Sequence, residues 1–147
     1  MTILPDSSVF IPYFARHRYV EPVEGALRAG RLALCSVVAA EVIAGARDRD
    51  ERRLYDQFFE RCRRLGLIVT PHDEAWRTCG RMLSRYRQRY GDIRARDQQN
   101  DVLIVLAARQ LARDDEVAIL TENDAHLLTW LALIHDRAGV RVQAMRR

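Results

Sequence analysis

Three carboxylates stand where carboxylates are seldom found. Asp6 lies in ILPDSSVFI, Glu41 in SVVAAEVIAGA and Asp101 in NDVLIVLAA, each in largely apolar company. An ionised carboxylate away from water is costly unless it is paired or bound to a metal. Most other acids lie in charge-rich stretches such as ARDRDERR and ARDDE, where solvation accounts for them. Carboxylates brought together raise one another's pKa and cannot all stay ionised without a counter-ion. A hard divalent cation, Mg²⁺ or Mn²⁺, resolves that conflict, because it prefers oxygen ligands and retains several waters. Such an ion lowers the pKa of water and clamps phosphate oxygens, so the chemistry in view is phosphodiester hydrolysis.

Each acid taken alone also has a structural reading. Asp101, next to Asn100, suits a helix amino terminus, where a negative charge gains roughly 0.3–1 kcal/mol. Asp6 can cap a turn. Glu41 is the hardest to explain that way, since it falls inside a helix about one turn past Val37, on an apolar side. Their matching positions, near a strand exit or in the first turns of the following helix, favour a shared site.

The elements that must position them read as alternating strands and helices. Thr2 to Leu4 is a first strand, with Pro5 and Asp6 at its exit, and Ser7 caps a helix through Val9 to Phe14 that contains Pro12. A helix over Glu21 to Ala29 leads to a strand over Arg31 to Cys35, and Ser36 caps the helix Val37 to Ala46. A helix over Asp50 to Arg64 sets Leu54, Phe58 and Leu65 on one face, and a short strand follows over Leu67 to Val69. Thr70, Pro71 and Asp73 form a helix start, and that helix runs to about Tyr90. Gly91 to Gln99 reads as a polar loop before an apolar helix from Val102 to Ala112 that Asn100 starts. Val117 to Leu120 is a strand, Glu122 to Asp124 a turn, Ala125 to Arg137 a helix and Val140 to Ala144 a last strand. This alternation predicts an α/β fold with a parallel sheet covered by helices, and a ligand crevice beyond the carboxyl ends of its strands.

Composition sets the limits. Residues 1–147 suit one domain, with 48% hydrophobic and 30% charged residues. The longest apolar run, Val102 to Ala108, is seven residues, against roughly 20 for a bilayer span. With no secretory signal pattern at the amino terminus, the chain reads as cytoplasmic. Cys35, Cys62 and Cys79 are widely spaced and read as free thiols. All 24 basic residues are arginine, which excludes lysine-dependent chemistry, including the P-loop. The net charge of +4 makes nucleic acid a plausible partner.

Four segments in order then carry a family resemblance. ILPDSSVFI matches hydrophobic-D-[ST]-[SN], SVVAAEVIAG matches S-x-x-x-x-E-x-x-x-G, NDVLIVLAA matches N-D-x-x-I-x-x-A-A, and ILTEND matches hydrophobic-T-x-N. In these the chain resembles PIN-domain ribonucleases, most closely the VapC toxins of bacterial toxin–antitoxin pairs. The resemblance implies a PIN-like three-layer sandwich, a short central parallel sheet flanked by helices. It implies a metal-dependent endoribonuclease with Mg²⁺ or Mn²⁺ held by Asp6, Glu41 and Asp101, and Ser8 and Asn123 shaping the site. It further implies an RNA substrate, a cognate antitoxin protein and a homodimer.

The sequence departs from the family pattern T-x-[ND]-x-x-[DN]-F, reading Thr121-Glu122-Asn123-Asp124-Ala125-His126-Leu127. His126 stands at the late acidic position, and Leu127 replaces the aromatic. Asp124 or Glu122 could supply the fourth charge, with Asp124 preferred; Asn123 and Asp124 serve equally well as turn and capping residues. The departure keeps open a second reading, a catalytically weak or inactive PIN scaffold that binds RNA or protein. Two phosphotransfer alternatives fail for want of a lysine, and the dehalogenase-like one also finds Ser8 where a second acid is needed.

Among other candidates, His17, His72, His126 and His135 lack metal-binding spacing, and His126 is the one near the crevice. Arg81, Arg85, Arg87, Arg89, Arg94 and Arg96, interleaved with Tyr86 and Tyr90, read equally as an RNA track or as a solvated face. Trp76 and Trp130 read as core or interface anchors.

Overall fold

The apolar runs become short parallel strands in the computed structural model, which describes residues 1–92 and 94–146 without the side chains of Ala95 and Arg96. β1 (Thr2–Pro5) pairs with β4 (Val117–Thr121), Leu4 opposite Ile119, and β4 pairs in turn with β5 (Val140–Ala144). β2 (Leu34–Cys35) pairs with β3 (Ile68–Val69). A parallel bridge between Ile3 and Leu32 joins the two ladders, so the strands lie in the order β3-β2-β1-β4-β5. The chain steps outward from β1 to β3, returns to β4 beside β1, and steps outward again. The switch point therefore falls between β1 and β4, where an open α/β sheet forms its crevice.

All five residues of β4 are buried, which requires both faces of the sheet to be covered there. The cover comes from α1 (Ser7–Arg16), α2 (Val20–Arg28), α3 (Ser36–Ala44), α4 (Arg49–Arg64), α5 (Asp73–Tyr90), α6 (Ala95–Leu111) and α7 (Asp124–Ala132). Leu103 and Ile104 of α6, Leu127 and Trp130 of α7, and Leu4 and Ile119 of the sheet are fully buried. Phe10 of α1 meets the rings of Tyr13, Phe14, Phe58 and Phe59 at centroid distances of 5.8–6.4 Å, which locks α1 to α4. The three cysteines are free and buried, and burial pushes each thiol above its ordinary pKa. Among the described residues no helix is long and apolar enough to cross a membrane.

Several local expectations are corrected. α6 begins at Ala95, not at Asn100, because Ala-Arg-Asp-Gln-Gln tolerates a helix, while α5 ends at Tyr90 before Gly91, whose φ of 92° suits glycine. Asp101 thus lies in the second turn, beyond the reach of a helix-terminus role. α5 takes His72, not Thr70, as its N-cap. α4 buries Tyr55, Phe59 and Cys62 and leaves Leu54 48% exposed and Leu65 exposed; the aromatic ring of α1 packs one position round from the aliphatic pair. α7 stops at Ala132, five residues before Arg137. Trp130 is core, whereas Trp76 is exposed.

Phe10→Ala should cost about 3–5 kcal/mol in urea denaturation. Leu54→Ala should change stability by only about 0.5 kcal/mol.

Candidate active site

Asp6 is delivered by the end of β1. Pro5 lies opposite Leu120, and the Asp6 amide donates to the Leu120 carbonyl at 2.9 Å. The Asp6 carbonyl then accepts the Val9 and Phe10 amides at 3.2 and 3.1 Å and starts α1. Its side chain makes no capping bond; it accepts the Ser8 hydroxyl at 2.5 Å. Ser8 Oγ accepts the Glu122 amide at 2.8 Å and lies 3.4 Å from Thr121 Oγ1, and Thr121 Oγ1 accepts the Asn123 amide at 3.0 Å. The single Ser8 proton is committed to Asp6, so the turn after β4 fixes the orientation of this carboxylate. Asp6 is only 8% exposed, and burial pushes its carboxyl above the ordinary 3.8, opposed in part by the Ser8 and Thr121 hydroxyls.

α3 and α6 supply the other two acids. Glu41 Oε1 accepts from Asn100 Nδ2 at 2.9 Å, whereas Glu41 Oε2 is buried with no hydrogen-bond partner. The next residue, Asp101, is half-buried; burial raises its pKa, His126 opposes that, and the charge of Glu41 reinforces it. His126 Nδ1 lies 3.5 Å from Asp101 Oδ2. One turn of chain, Thr121 to Asn123, thus leads from the hydroxyls around Asp6 into the helix that carries an imidazole to Asp101.

The remaining expected residues fall around this turn. Asn123 is exposed and acts through its amide, and Asp124 is the first residue of α7. Glu122 turns its carboxylate to the α1–α2 link, where Oε1 accepts the Tyr19 hydroxyl at 2.6 Å and lies 3.9 Å from Arg18 Nη1. Of the two neighbours considered for a fourth charge, Glu122 is therefore engaged elsewhere. A cleft of about 480 Å³ beside Ser8 is lined by Arg16, Arg18, Arg47, Val42 and Glu122. Asn100, Thr121 and Tyr19 are the polar partners that sequence reasoning missed. The Asn-Asp pair and the lone Thr after the VAIL run were the available signals; nothing in the sequence ties Tyr19 to Glu122.

The arginine row divides by environment. Arg87 pairs with Asp92, and Arg89 lies over Tyr90, which is exposed. Tyr86 packs on Trp130 at 4.9 Å and is spent on the core. The side chain of Arg96 is outside the described residues.

The donor set consists of hard carboxylate oxygens, and the buried, unpartnered Glu41 Oε2 is an atom that a cation would satisfy. Among the described residues no group of three His, Cys, Asp or Glu side chains forms a ready-made metal cage. The fit is to an ion that keeps several of its waters, as Mg²⁺ does.

A PIN domain family model matches residues 3–112. A search of the curated proteins finds no match. Similar solved structures include DNA-bound VapBC from Salmonella typhimurium, with a TM-score of 0.64, 13% identity and 98% of each chain covered. VapBC2 from Rickettsia felis, bound to a DNA fragment from their promoter, has a TM-score of 0.65 and 14% identity, covering 99% of this chain and 100% of that one. VapBC-5 from Mycobacterium tuberculosis, a member of the VapBC family of toxin-antitoxin systems, has a TM-score of 0.54 and 21% identity, with 99% and 100% covered. At these identities the likeness is one of fold.

Because folding raises the Asp6 pKa, the folded state holds this proton more tightly than the unfolded chain, and stability falls as pH rises above 3.8. Asp6→Asn should therefore raise the Tm of the metal-free protein at neutral pH. The gain should shrink as the pH is lowered toward 3.8 in thermal melts.

Proposed function

The chain belongs to the PIN-domain family, and from that premise we propose that it is a metal-dependent endoribonuclease, the toxin of a toxin–antitoxin pair acting in the cytoplasm. The observation that carries the reading is the buried Glu41 Oε2 left without a partner beside Asp101. A protein that used these acids only for stability would have paired that oxygen, because an unsatisfied buried acceptor costs roughly 1–3 kcal/mol.

In this reading Asp6, Glu41 and Asp101 hold Mg²⁺ or Mn²⁺. When bound, the ion supplies charge neutralisation at the scissile phosphate and a lowered pKa for the attacking water. The chain's own contribution is orientation. Ser8 holds Asp6, Asn100 holds Glu41, and the packing of α3 on α6 sets the separation of Glu41 from Asp101. Arg16 and Arg18, which line the cleft beside Ser8, would meet the RNA phosphates. Asp124, the first residue of α7, is the further acid we assign to this set. The likeness to VapBC complexes supports an antitoxin partner for this chain, and the homodimer rests on the family resemblance alone.

The test is cleavage of single-stranded RNA by the purified protein, with and without divalent metal. Cleavage should require Mg²⁺ or Mn²⁺ and should fall by about 100-fold or more in Asp6→Asn, Glu41→Gln and Asp101→Asn, the loss typical of removing a charge-stabilising group. RNA binding without metal-dependent cleavage would favour the scaffold reading, and cleavage that survives all three substitutions would remove these acids from the mechanism.

A further inference from the structure

We propose that His126 is a nitrogen ligand of the bound metal and that it shifts the site's preference from Mg²⁺ toward Mn²⁺. The inference rests on the metal-dependent reading above and goes beyond it, because the carboxylates alone describe an all-oxygen site.

Three observations converge on the imidazole. The first is distance: His126 Nδ1 lies 3.5 Å from Asp101 Oδ2. Two neighbouring ligands, each about 2.1 Å from an octahedral ion, stand roughly 3 Å apart, so a small turn of the ring lets both atoms share one ion. The second is placement. α7 begins directly after a turn held by two backbone-to-hydroxyl bonds, Glu122 N to Ser8 Oγ and Asn123 N to Thr121 Oγ1, and it packs along α6. His126 is therefore brought to Asp101 by the same turn that orients Asp6. The third is access. The His126 side chain is 55% exposed, while Glu41, whose charge acts on Asp101, has its Oε2 buried and unpartnered. An ion between them would take hard oxygens from the protein side, imidazole nitrogen from the rim and water from solvent.

The donor chemistry sets the selectivity. Mg²⁺ is bound mostly by oxygen and gives up its water reluctantly, whereas imidazole is a favoured ligand of first-row transition ions. A site of carboxylates and water discriminates weakly between Mg²⁺ and Mn²⁺. A nitrogen in the set favours Mn²⁺.

The experiment uses the full chain, stripped of metal and titrated with Mn²⁺ or Mg²⁺ by calorimetry, with pulsed EPR of the Mn²⁺-loaded protein read for ¹⁴N coupling. The wild type should show imidazole nitrogen at Mn²⁺, and His126→Gln should lose it while still binding the ion. The preference for Mn²⁺ over Mg²⁺ should fall about tenfold in His126→Asp, in the range seen when a metal site loses a directing partner. Bound Mn²⁺ without nitrogen coupling in the wild type, or a preference unchanged in both variants, would overturn the assignment and leave the carboxylate site standing. If neither ion binds the wild type, the metal-dependent reading falls and the assignment with it. The EPR signal of the wild type decides the point even if a variant fails to fold.

Discussion

Because Pro5 lies opposite Leu120, β1 and β4 leave the sheet together, and the Asp6 amide closes the pair on the Leu120 carbonyl. Proline has no amide hydrogen to spend on the ladder, so the last β1 donor is that of Asp6 itself. The carboxylate consequently emerges at the switch point of the sheet, within reach of the turn that follows β4. Ser8, Thr121 and the amides of Glu122 and Asn123 all find partners in the space this pairing creates. α7 starts from the same turn, so the contact between His126 and Asp101 is also a consequence of the β1–β4 register.

The site is held against its own electrostatics. Burial pushes both Asp6 and Asp101 upward, and Glu41 adds a like charge beside Asp101. Hydrogen bonds from neutral groups, Ser8 on Asp6 and Asn100 on Glu41 among them, orient two of these carboxylates without neutralising them. A fold that carries such a cluster without a counter-ion is less stable than one with amides in the same places, and the apolar core must offset that. It does so through the fully buried β4 and α6 and the aromatic contact between α1 and α4. The same helix, α6, carries Asp101 on its way into the core, so the acid nearest His126 rides on one of the best-packed elements of the chain.

Much of this was legible in the sequence because the relevant physics is local. An acid in an apolar run is anomalous whatever the fold, and Asp6, Glu41 and Asp101 could be picked out on that ground alone. The short apolar runs separated by helical periodicity required a parallel sheet. Where the reading failed, the deciding interaction was distant in sequence. Tyr55 and Phe59 of α4 are buried in place of Leu54 because the rings of α1 lie against that face. α6 extends back to Ala95 because its polar first turns tolerate helix, a boundary that residue propensity does not mark sharply.

What the sequence determined by itself was the chemistry on offer: three acids in apolar company, no lysine, and a histidine in the turn segment after the VAIL run. Each of these is a property of residue type and near neighbours. Only the tertiary structure decided which oxygen goes unpaired, that Glu122 turns away to Tyr19, and that His126 reaches Asp101. Those outcomes depend on contacts between elements tens of residues apart, brought together by strand order and helix packing. No local pattern encodes them.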